Sequence, residues 1–206
     1  MEQIPLPAKE RLLYLMRVLE KSGMNPVTST QVEALTGWSS HTIRKDISYL
    51  GGDCDGSAIG SSSGYHPAIL APAIKKALGL DRRRRFCVVG LGRLGSAYLN
   101  FRGFELEEFE LIAGFDTNVN RVEIVRSSVP LYPAYKMAEV IHRFAIELAL
   151  LCVPEEAAQA AVEKLIAAGI RGIVNFAPVA LRVSPEIVIR NVYVVDALRA
   201  VAVRMT

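Results

Sequence analysis

The sequence predicts two domains, a small helical domain followed by a larger α/β domain built on a parallel sheet. In the first eighty of its 206 residues, apolar positions recur at helical spacing. After residue 85, short runs rich in Val, Ile and Leu alternate with helical stretches, which is the pattern of βαβ units. The strand-like runs cover residues 86–90, 111–115, 129–132, 148–153, 172–176 and 187–195. Because parallel strands of this kind are buried, we expect helices on both faces of the sheet.

The composition is that of a globular chain without a membrane segment or a cysteine framework. The chain is 51% hydrophobic and 22% charged, and its formal net charge is +3. No apolar run approaches the roughly 20 residues of a membrane span, and the N-terminus opens on a helical pattern rather than a signal peptide. The cysteines, Cys54, Cys87 and Cys152, form no CxxC pair, which argues against a metal site or disulfides. We therefore expect a cytoplasmic protein with no membrane partner and no metal.

The N-terminal domain, residues 1–80, has the helix order of a helix-turn-helix. Helical patterns cover residues 7–20 and 40–50, and a shorter helix lies between them. A stretch rich in Gly and Ser follows at residues 51–64, and a fourth helix over residues 67–78 closes the domain. A helix, a short helix, a tight turn and a further helix are typical of a module that binds DNA.

Capping signals mark the two helices of the predicted turn. The middle helix begins near Ser29, where Thr30 and Glu33 have the spacing of a capping box. Gly37 then turns the chain, and Ser39 can cap the next helix. The apolar stripe of that helix consists of Ile43, Ile47 and Leu50. Its other faces carry His41, Thr42, Arg44, Lys45 and Ser48.

Consecutive arginines at residues 82–85 lie at the joint between the two domains. We interpret residues 81–85 as a basic linker, which either contacts phosphate or keeps the joint in water. The α/β domain then covers residues 86–195, and residues 196–206 form a C-terminal helix.

A G-x-G-x-x-G motif directly follows the first strand-like run and precedes a helical stretch at residues 96–101. In this setting Gly90 makes the tight turn, Gly92 lets the backbone approach a diphosphate, and Gly95 lets the helix pack closely on the strand. Free N–H groups at a helix start attract phosphate. The combination predicts a Rossmann domain that binds NAD or NADH through Gly90, Leu91, Gly92, Arg93, Leu94 and Gly95.

The ends of three later strands complete the predicted site, because ligands of open sheets lie at the carboxyl ends of the strands. Asp116 comes 21 residues after Gly95, where a carboxylate accepts hydrogen bonds from the adenosine ribose and repels a 2′-phosphate. The residues expected to border the nicotinamide are Val153, Pro154, Asn175, Phe176 and Ala177. Those strand ends offer no obvious general acid or nucleophile, and little sequence remains for a substrate domain, so a sensor is favoured over an enzyme.

Several of these segments together resemble the Rex family of redox-sensing transcriptional repressors. The matching segments are residues 40–49, 90–95 and 115–116, then 153–154 leading into 158–159, and 168–173 leading into 175–178. The resemblance implies a homodimer in which each subunit has a winged-helix domain, a Rossmann domain and a C-terminal helix that is exchanged between subunits. It also implies a repressor that binds double-stranded operator DNA and releases it when NADH binds. The candidate DNA-binding residues are Ser39, Ser40, His41, Thr42, Arg44, Lys45, Ser48 and Tyr49.

Three features depart from the family pattern. The wing, residues 52–65, is longer than usual and contains no Lys or Arg, which removes phosphate attraction. The three residues that link the domains in the family align with Arg17, Phe101 and Tyr193, so that only the arginine is kept. The last helix is short, which bears on the extent of subunit exchange.

Two other functions stay open at this point. A DNA-binding relative that keeps the cofactor for structure but ignores redox state would explain the missing charge pair. A small NAD-dependent oxidoreductase with an added helical domain is the alternative from another class.

Overall fold

The computed structural model describes residues 4–23, 26–50, 60–61, 64–106 and 108–205. The chain divides into two compact units, Met1–Arg82 and Arg83–Thr206, and each has hydrophobic clusters of its own.

The N-terminal unit is a small helical domain with a short antiparallel pair of strands. Its elements are α1 (Leu6–Ser22), α2 (Ser29–Thr36), α3 (Ser40–Ser48), β1 (Gly60–Ser61), β2 (Gly64–Tyr65) and α4 (Pro67–Ala77). Gly23 and Gly37 end the first two helices in the left-handed conformation, with φ of 63° and 74°, as their sequence positions predict. The buried core combines residues of α1, α2, α3 and α4, including Leu12, Val32, Ile43 and Leu70. Most of the predicted wing lies outside the described residues, apart from β1 and β2.

The capping box of α2 lies two residues earlier than predicted. Thr28 Oγ1 accepts the Gln31 N–H at 3.2 Å, and Gln31 Oε1 accepts the Thr28 N–H at 2.8 Å. The predicted box starting at Thr30 is wrong, because Val27 exchanges two backbone hydrogen bonds of 2.8 Å with Tyr65. This pairing keeps the chain extended up to Thr28, so that the helix begins immediately after it.

The second unit is an α/β domain around a six-stranded sheet in which every pairing is parallel. Its elements are β3 (Arg84–Val89), α5 (Arg93–Leu99), β4 (Phe109–Asp116), α6 (Val119–Ile124), β5 (Leu131–Pro133), α7 (Met137–Phe144), β6 (Leu148–Leu151), α8 (Glu155–Ala167), β7 (Gly172–Asn175), β8 (Val188–Asn191) and α9 (Val194–Val203). Short 3₁₀ turns follow α5 and β5. The strand order β5-β4-β3-β6-β7-β8 is the 3-2-1-4-5-6 order of a dinucleotide-binding sheet.

The arginine run contributes to the sheet as well as to the joint. The strand β3 begins at Arg84, so Arg84 and Arg85 do not belong to a linker over residues 81–85. Their side chains form ion pairs of 3.3 Å with Glu147 and Glu110, which lie at the starts of the neighbouring strands. The two arginines are therefore held at the amino edge of the sheet, opposite to the edge where a ligand is expected.

The end of the chain also differs from prediction. The strand expected over residues 187–195 is limited to Val188–Asn191, because its neighbour β7 ends at Asn175, opposite Asn191. The last helix then begins at Val194 instead of residue 196.

Helices cover the sheet unevenly. One face is packed against α7 and α8, whereas α5 and α6 cover only the half of the other face formed by β3, β4 and β5. On the half of that second face formed by β6, β7 and β8 lies an apolar cavity of about 290 Å³, lined by Phe109, Leu150, Val174 and Val188 among others. The expectation of helices over both faces is thus correct for one half of the sheet only, because the connection between β7 and β8 contains no helix.

None of the described helices is both long enough and apolar enough to cross a membrane.

Candidate functional site

The glycine loop makes a sharp turn at the carboxyl end of β3. Gly90 has φ of 92°, and a Cβ at this position would lie 2.6 Å from the carbonyl oxygen of Cys152. The Gly90 N–H donates to the Phe115 carbonyl at 2.8 Å, which continues the pairing with β4 into the turn. Only glycine fits here, because both the left-handed backbone and the close approach of β6 exclude a side chain.

The other two glycines of the loop have opposite surroundings. A Cβ at Gly95 would lie 1.8 Å from the carbonyl oxygen of Gly90, so the start of α5 packs directly on the turn. A Cβ at Gly92 would meet nothing within 4 Å. Gly92 is the N-cap of α5, which begins at Arg93 and not at Ser96 as predicted, because the chain enters the helix directly from the turn. The backbone at Gly92 is thus open to a ligand.

Asp116 ends β4 next to the glycine loop and is 4% exposed. Its Oδ2 accepts the Leu91 N–H at 2.7 Å, and its Oδ1 accepts the Asn118 N–H at 2.7 Å. The first bond fixes the loop to the end of β4, so the carboxylate is a structural part of the turn. Two backbone donors also compensate the cost of burying its charge.

Arg121 was missed by sequence reasoning, although it lies beside this carboxylate. It belongs to the short helix α6, and its Nη1 is 3.5 Å from Asp116 Oδ2. Its side chain is 53% exposed, compared with 4% for Asp116. The five-residue spacing after a strand end gives no recognisable signal, because the contact depends on how the chain turns from β4 into α6.

The ends of β6 and β7 lie beside the glycine loop, as the sheet order requires. Val153 is half-buried, Pro154 is exposed, and Val153 Cγ1 lies 2.9 Å from a Cβ built at Gly90. The Phe176 ring lies 5.2 Å from the Tyr98 ring of α5, which joins the end of β7 to the helix of the loop.

Burial shifts the pKa of two side chains in this region. It raises the pKa of the Cys152 thiol to about 12, and it also raises the pKa of the Tyr98 hydroxyl. A protonated thiol is a poor nucleophile.

Asn175 is almost completely buried, and its side chain hydrogen-bonds to three other residues. Its Nδ2 donates to the Val179 carbonyl at 3.1 Å and to Asn191 Oδ1 at 2.9 Å. Its Oδ1 accepts the N–H of Ala177, also buried, at 2.9 Å. Asn175 therefore fixes the loop after β7 and ties it to β8, and Asn191 is a second residue that sequence reasoning did not identify.

In the N-terminal unit, α3 presents polar and cationic side chains to solvent. Of the predicted DNA-binding residues, the exposed ones are Ser39, His41, Arg44, Lys45 and Ser48. The half-buried ones are Ser40, Thr42 and Tyr49. The opposite side of α3 places Ile43 in the core, with Ile47 and Leu50 packed against it. The helix is therefore amphipathic, with its cations on the free side.

Local hydrogen bonds fix the turn between α2 and α3. Ser39 Oγ accepts the Thr42 N–H at 3.3 Å, as expected of an N-cap. Glu33 Oε2 accepts both the N–H and the Oγ–H of Ser40, at 3.1 and 2.9 Å. The Ser40 hydroxyl therefore connects the two helices.

A partly buried ion pair connects α3 to α1. Arg11 Nε and Nη2 donate to the two carboxylate oxygens of Asp46, at 2.6 and 2.8 Å. The Asp46 side chain is 5% exposed, and this hydrogen bond raises the pKa of Arg11. Asp46 lies between the exposed Lys45 and the core residue Ile47, so the pair sets the angle at which the cationic face of α3 is presented.

The three residues aligned with the family's interdomain link lie in different settings. Arg17 is exposed on α1 and lines a groove with Tyr14 and Leu35. Phe101 is exposed after α5, with its ring 5.0 Å from that of Phe104. Tyr193 is the N-cap of α9. Within the described parts of the chain, no cluster of His, Cys, Asp and Glu could hold a metal ion.

Comparisons with known proteins identify the family of the chain. Residues 81–179 match the family described as "CoA binding domain". A "Redox-sensing transcriptional repressor Rex" of Thermus thermophilus is 40% identical over 92% of this chain and 88% of its own length. The chain belongs to the Rex family. A further member of the family, from Ligilactobacillus salivarius, is 34% identical over 92% of this chain and 88% of its own length.

Solved structures of a Rex-family repressor called RSP have the same fold. RSP in complex with NAD⁺ and operator DNA has a TM-score of 0.86 and 29% identity, covering 98% of this chain and 92% of that one. RSP in complex with NADH has a TM-score of 0.85 and 29% identity, covering 100% of this chain and 95% of that one. These findings confirm the predicted family and fold class, in which a Rossmann domain follows a winged helix-turn-helix domain along the chain.

Proposed function

We propose that this chain is a transcriptional repressor that binds operator DNA and releases it when NADH binds. The observation that carries the proposal is the open turn at Gly92 beside the buried carboxylate of Asp116, in the same chain as an exposed cationic helix. Relatives that align over nearly the whole chain are named redox-sensing repressors, and RSP binds NAD⁺, NADH and operator DNA. In this proposal residues 1–80 bind DNA and residues 86–195 bind the dinucleotide.

The dinucleotide would lie across the carboxyl edge of the sheet. The backbone at Gly92 and the first amides of α5 would face the diphosphate, with Arg93 exposed beside them. Asp116 would accept hydrogen bonds from the adenosine ribose with its remaining lone pairs. Val153 and Phe176 would border the nicotinamide, in a loop that Asn175 keeps in place.

The DNA contacts would come from the exposed side of α3. Arg44 and Lys45 supply cations that pair with phosphates or with guanine edges, and His41 and Ser48 lie on the same helix. The Arg11–Asp46 pair would fix the helix before DNA arrives, so that less order has to be gained on binding.

We infer that the working form is a homodimer. The last helix α9 exposes Val194, Leu198 and Val201 at helical spacing. The sheet exposes the apolar cavity beside β6, β7 and β8. Large exposed apolar surfaces of this kind mark interfaces, and exchange of α9 between two copies would bury its stripe.

The control step would be a population shift. NADH must bind the DNA-free conformation more tightly than the DNA-bound one, because a ligand with equal affinity for both shifts nothing. An enzyme would need a reactive group at the nicotinamide end, where the thiol of Cys152 has its pKa raised to about 12.

A mobility-shift titration on a palindromic operator tests the proposal, with NADH and NAD⁺ added in turn. We expect NADH to release the DNA at lower concentration than NAD⁺, and we expect Arg44→Ala to abolish the shift. Lys21→Ala, at an exposed cation of α1, is the matched control and should keep it. An unshifted operator with the native chain, or steady oxidation of NADH with a carbonyl substrate, would refute the repressor function.

A second candidate is a DNA-binding protein that keeps the cofactor without sensing redox state. Phe101 and Tyr193 support it, since neither side chain can form an ion pair with an arginine. Equal release of the operator by NADH and NAD⁺ in the same titration would favour this function over sensing.

A further inference from the structure

Asp116 and Arg121 form a charge pair at the adenosine end of the proposed dinucleotide site. The carboxylate is held in place by the N–H groups of Leu91 and Asn118, both at 2.7 Å. The guanidinium approaches the same Oδ2 at 3.5 Å and is about half exposed. One partner of the pair is therefore fixed, and the other is a long side chain that can move.

The pair changes what the carboxylate does to a phosphate. A carboxylate at the end of the second strand repels a 2′-phosphate, whereas an arginine nearby accommodates one. With both groups present, the formal charge at this position is zero, and the preference depends on whether Arg121 stays with Asp116. A guanidinium released from the carboxylate would have its donors free for a phosphate, the anion whose geometry it matches best.

We propose that Arg121 is a specificity-determining residue, and that Asp116 selects a free ribose 2′-hydroxyl partly by holding Arg121. When the carboxylate charge is removed, Arg121 binds the 2′-phosphate of NADPH. This inference rests on the proposed binding of a dinucleotide at residues 90–95. It gives Asp116 three tasks, namely to hold the loop through Leu91, to bind the ribose and to occupy the arginine.

The test measures Kd for NADH and for NADPH by calorimetry with the full-length chain, and uses their ratio as the readout. Asp116→Asn removes the charge but keeps an oxygen that can accept the Leu91 N–H. We expect this variant to lower the ratio Kd(NADPH)/Kd(NADH) by about tenfold or more, which is the effect of one charge-assisted hydrogen bond. Adding Arg121→Ala to Asp116→Asn should reverse most of that decrease in the ratio.

Variants in the otherwise native chain test the same point independently of Asp116. Arg121→Ala should raise the ratio, and Arg121→Glu should raise it further. Arg143→Ala, at an exposed arginine of α7 that packs over the Phe144 ring, is the matched control and should leave the ratio within about twofold of the native value. If Asp116→Asn does not fold, these variants still decide the outcome.

Two results would overturn the inference. One is an equal ratio for Asp116→Asn with and without Arg121→Ala, and the other is a ratio in Arg121→Ala and Arg121→Glu that matches the control. Both require that the native chain binds NADH. Absence of NADH binding by the native chain refutes the proposed function instead, so the two failures are distinguishable.

Discussion

Loss of the Arg11 side chain should destabilise the N-terminal unit by several times more than loss of an exposed ion pair on the same helix. Arg11→Ala removes both donors, at 2.6 and 2.8 Å, from a carboxylate that is only 5% exposed. Breaking a buried pair by removing one partner costs about 3–5 kcal/mol. Because the Arg11 side chain is 29% exposed, water replaces part of the lost interaction, and we expect about 3 kcal/mol.

The assay can be restricted to this unit because the only tryptophan of the chain, Trp38, lies in it. Trp38 packs edge-on against Tyr14 at 5.4 Å, so its fluorescence changes when α1 separates from the rest of the unit. For a unit of this size, about 3 kcal/mol corresponds to a fall in Tm of roughly 12–24 °C. Urea titration with tryptophan emission gives the free energy of unfolding directly.

Two variants make the test specific to the buried pair. Glu20→Gln breaks the more exposed pair of Glu20 with Lys75, 3.3 Å apart, and should cost less than about 1 kcal/mol. Combining Arg11→Met with Asp46→Leu should regain most of the stability, because it leaves no unpaired buried charge. A cost for Arg11→Ala no greater than that of Glu20→Gln would refute the reasoning.

Three further predictions concern the dinucleotide domain. Gly95→Ala places a methyl group 1.8 Å from the Gly90 carbonyl oxygen and should abolish NADH binding in a fluorescence titration. The methyl group of Gly92→Ala meets nothing within 4 Å, so this variant should fold normally but bind NADH about tenfold more weakly in the same titration. Burial raises the pKa of Cys152 to about 12, so its alkylation by iodoacetamide at pH 8 should be roughly a thousandfold slower than that of a free thiol. The rate should increase with pH, and rapid alkylation at pH 8, measured by peptide mass spectrometry, would contradict this. Asn175→Asp places a carboxylate oxygen against the Val179 carbonyl and Asn191 Oδ1, and should lower the free energy of unfolding by about 2 kcal/mol. A variant as stable as the native chain in thermal denaturation would disprove the structural role of this amide.

The glycine loop could be predicted because its constraints are local. Gly90 and Gly95 are required by backbone close to the turn, whereas Gly92 leaves space for a ligand, and the spacing of the three glycines carries that information. Asp116 was found for a related reason, since the second strand of such a sheet ends at a nearly fixed distance along the chain. Ser39 was found as a cap because an N-cap acts within three residues.

Contacts between distant segments left no such signal. Arg11 and Asp46 are 35 residues apart, and only the packing of α1 against α3 makes them partners. The capping box of α2 was misplaced because Thr28 and Thr30 both fit the local pattern, and the choice between them is made by Tyr65, far along the chain. The half-covered sheet could not be predicted either, since alternation of elements does not tell which face each connection crosses.

The hydrogen bond from the Leu91 N–H to Asp116 has a consequence for how this family can diverge. In the proposed site the same carboxylate orders the turn and selects the sugar, so a substitution that leaves no acceptor for the Leu91 N–H loosens the turn as well as relaxing the selection. Drift towards phosphorylated nucleotides through such a substitution therefore carries a penalty in affinity for every dinucleotide. A lineage that changes its preference must keep an acceptor for that amide at position 116, as asparagine does, or acquire one elsewhere.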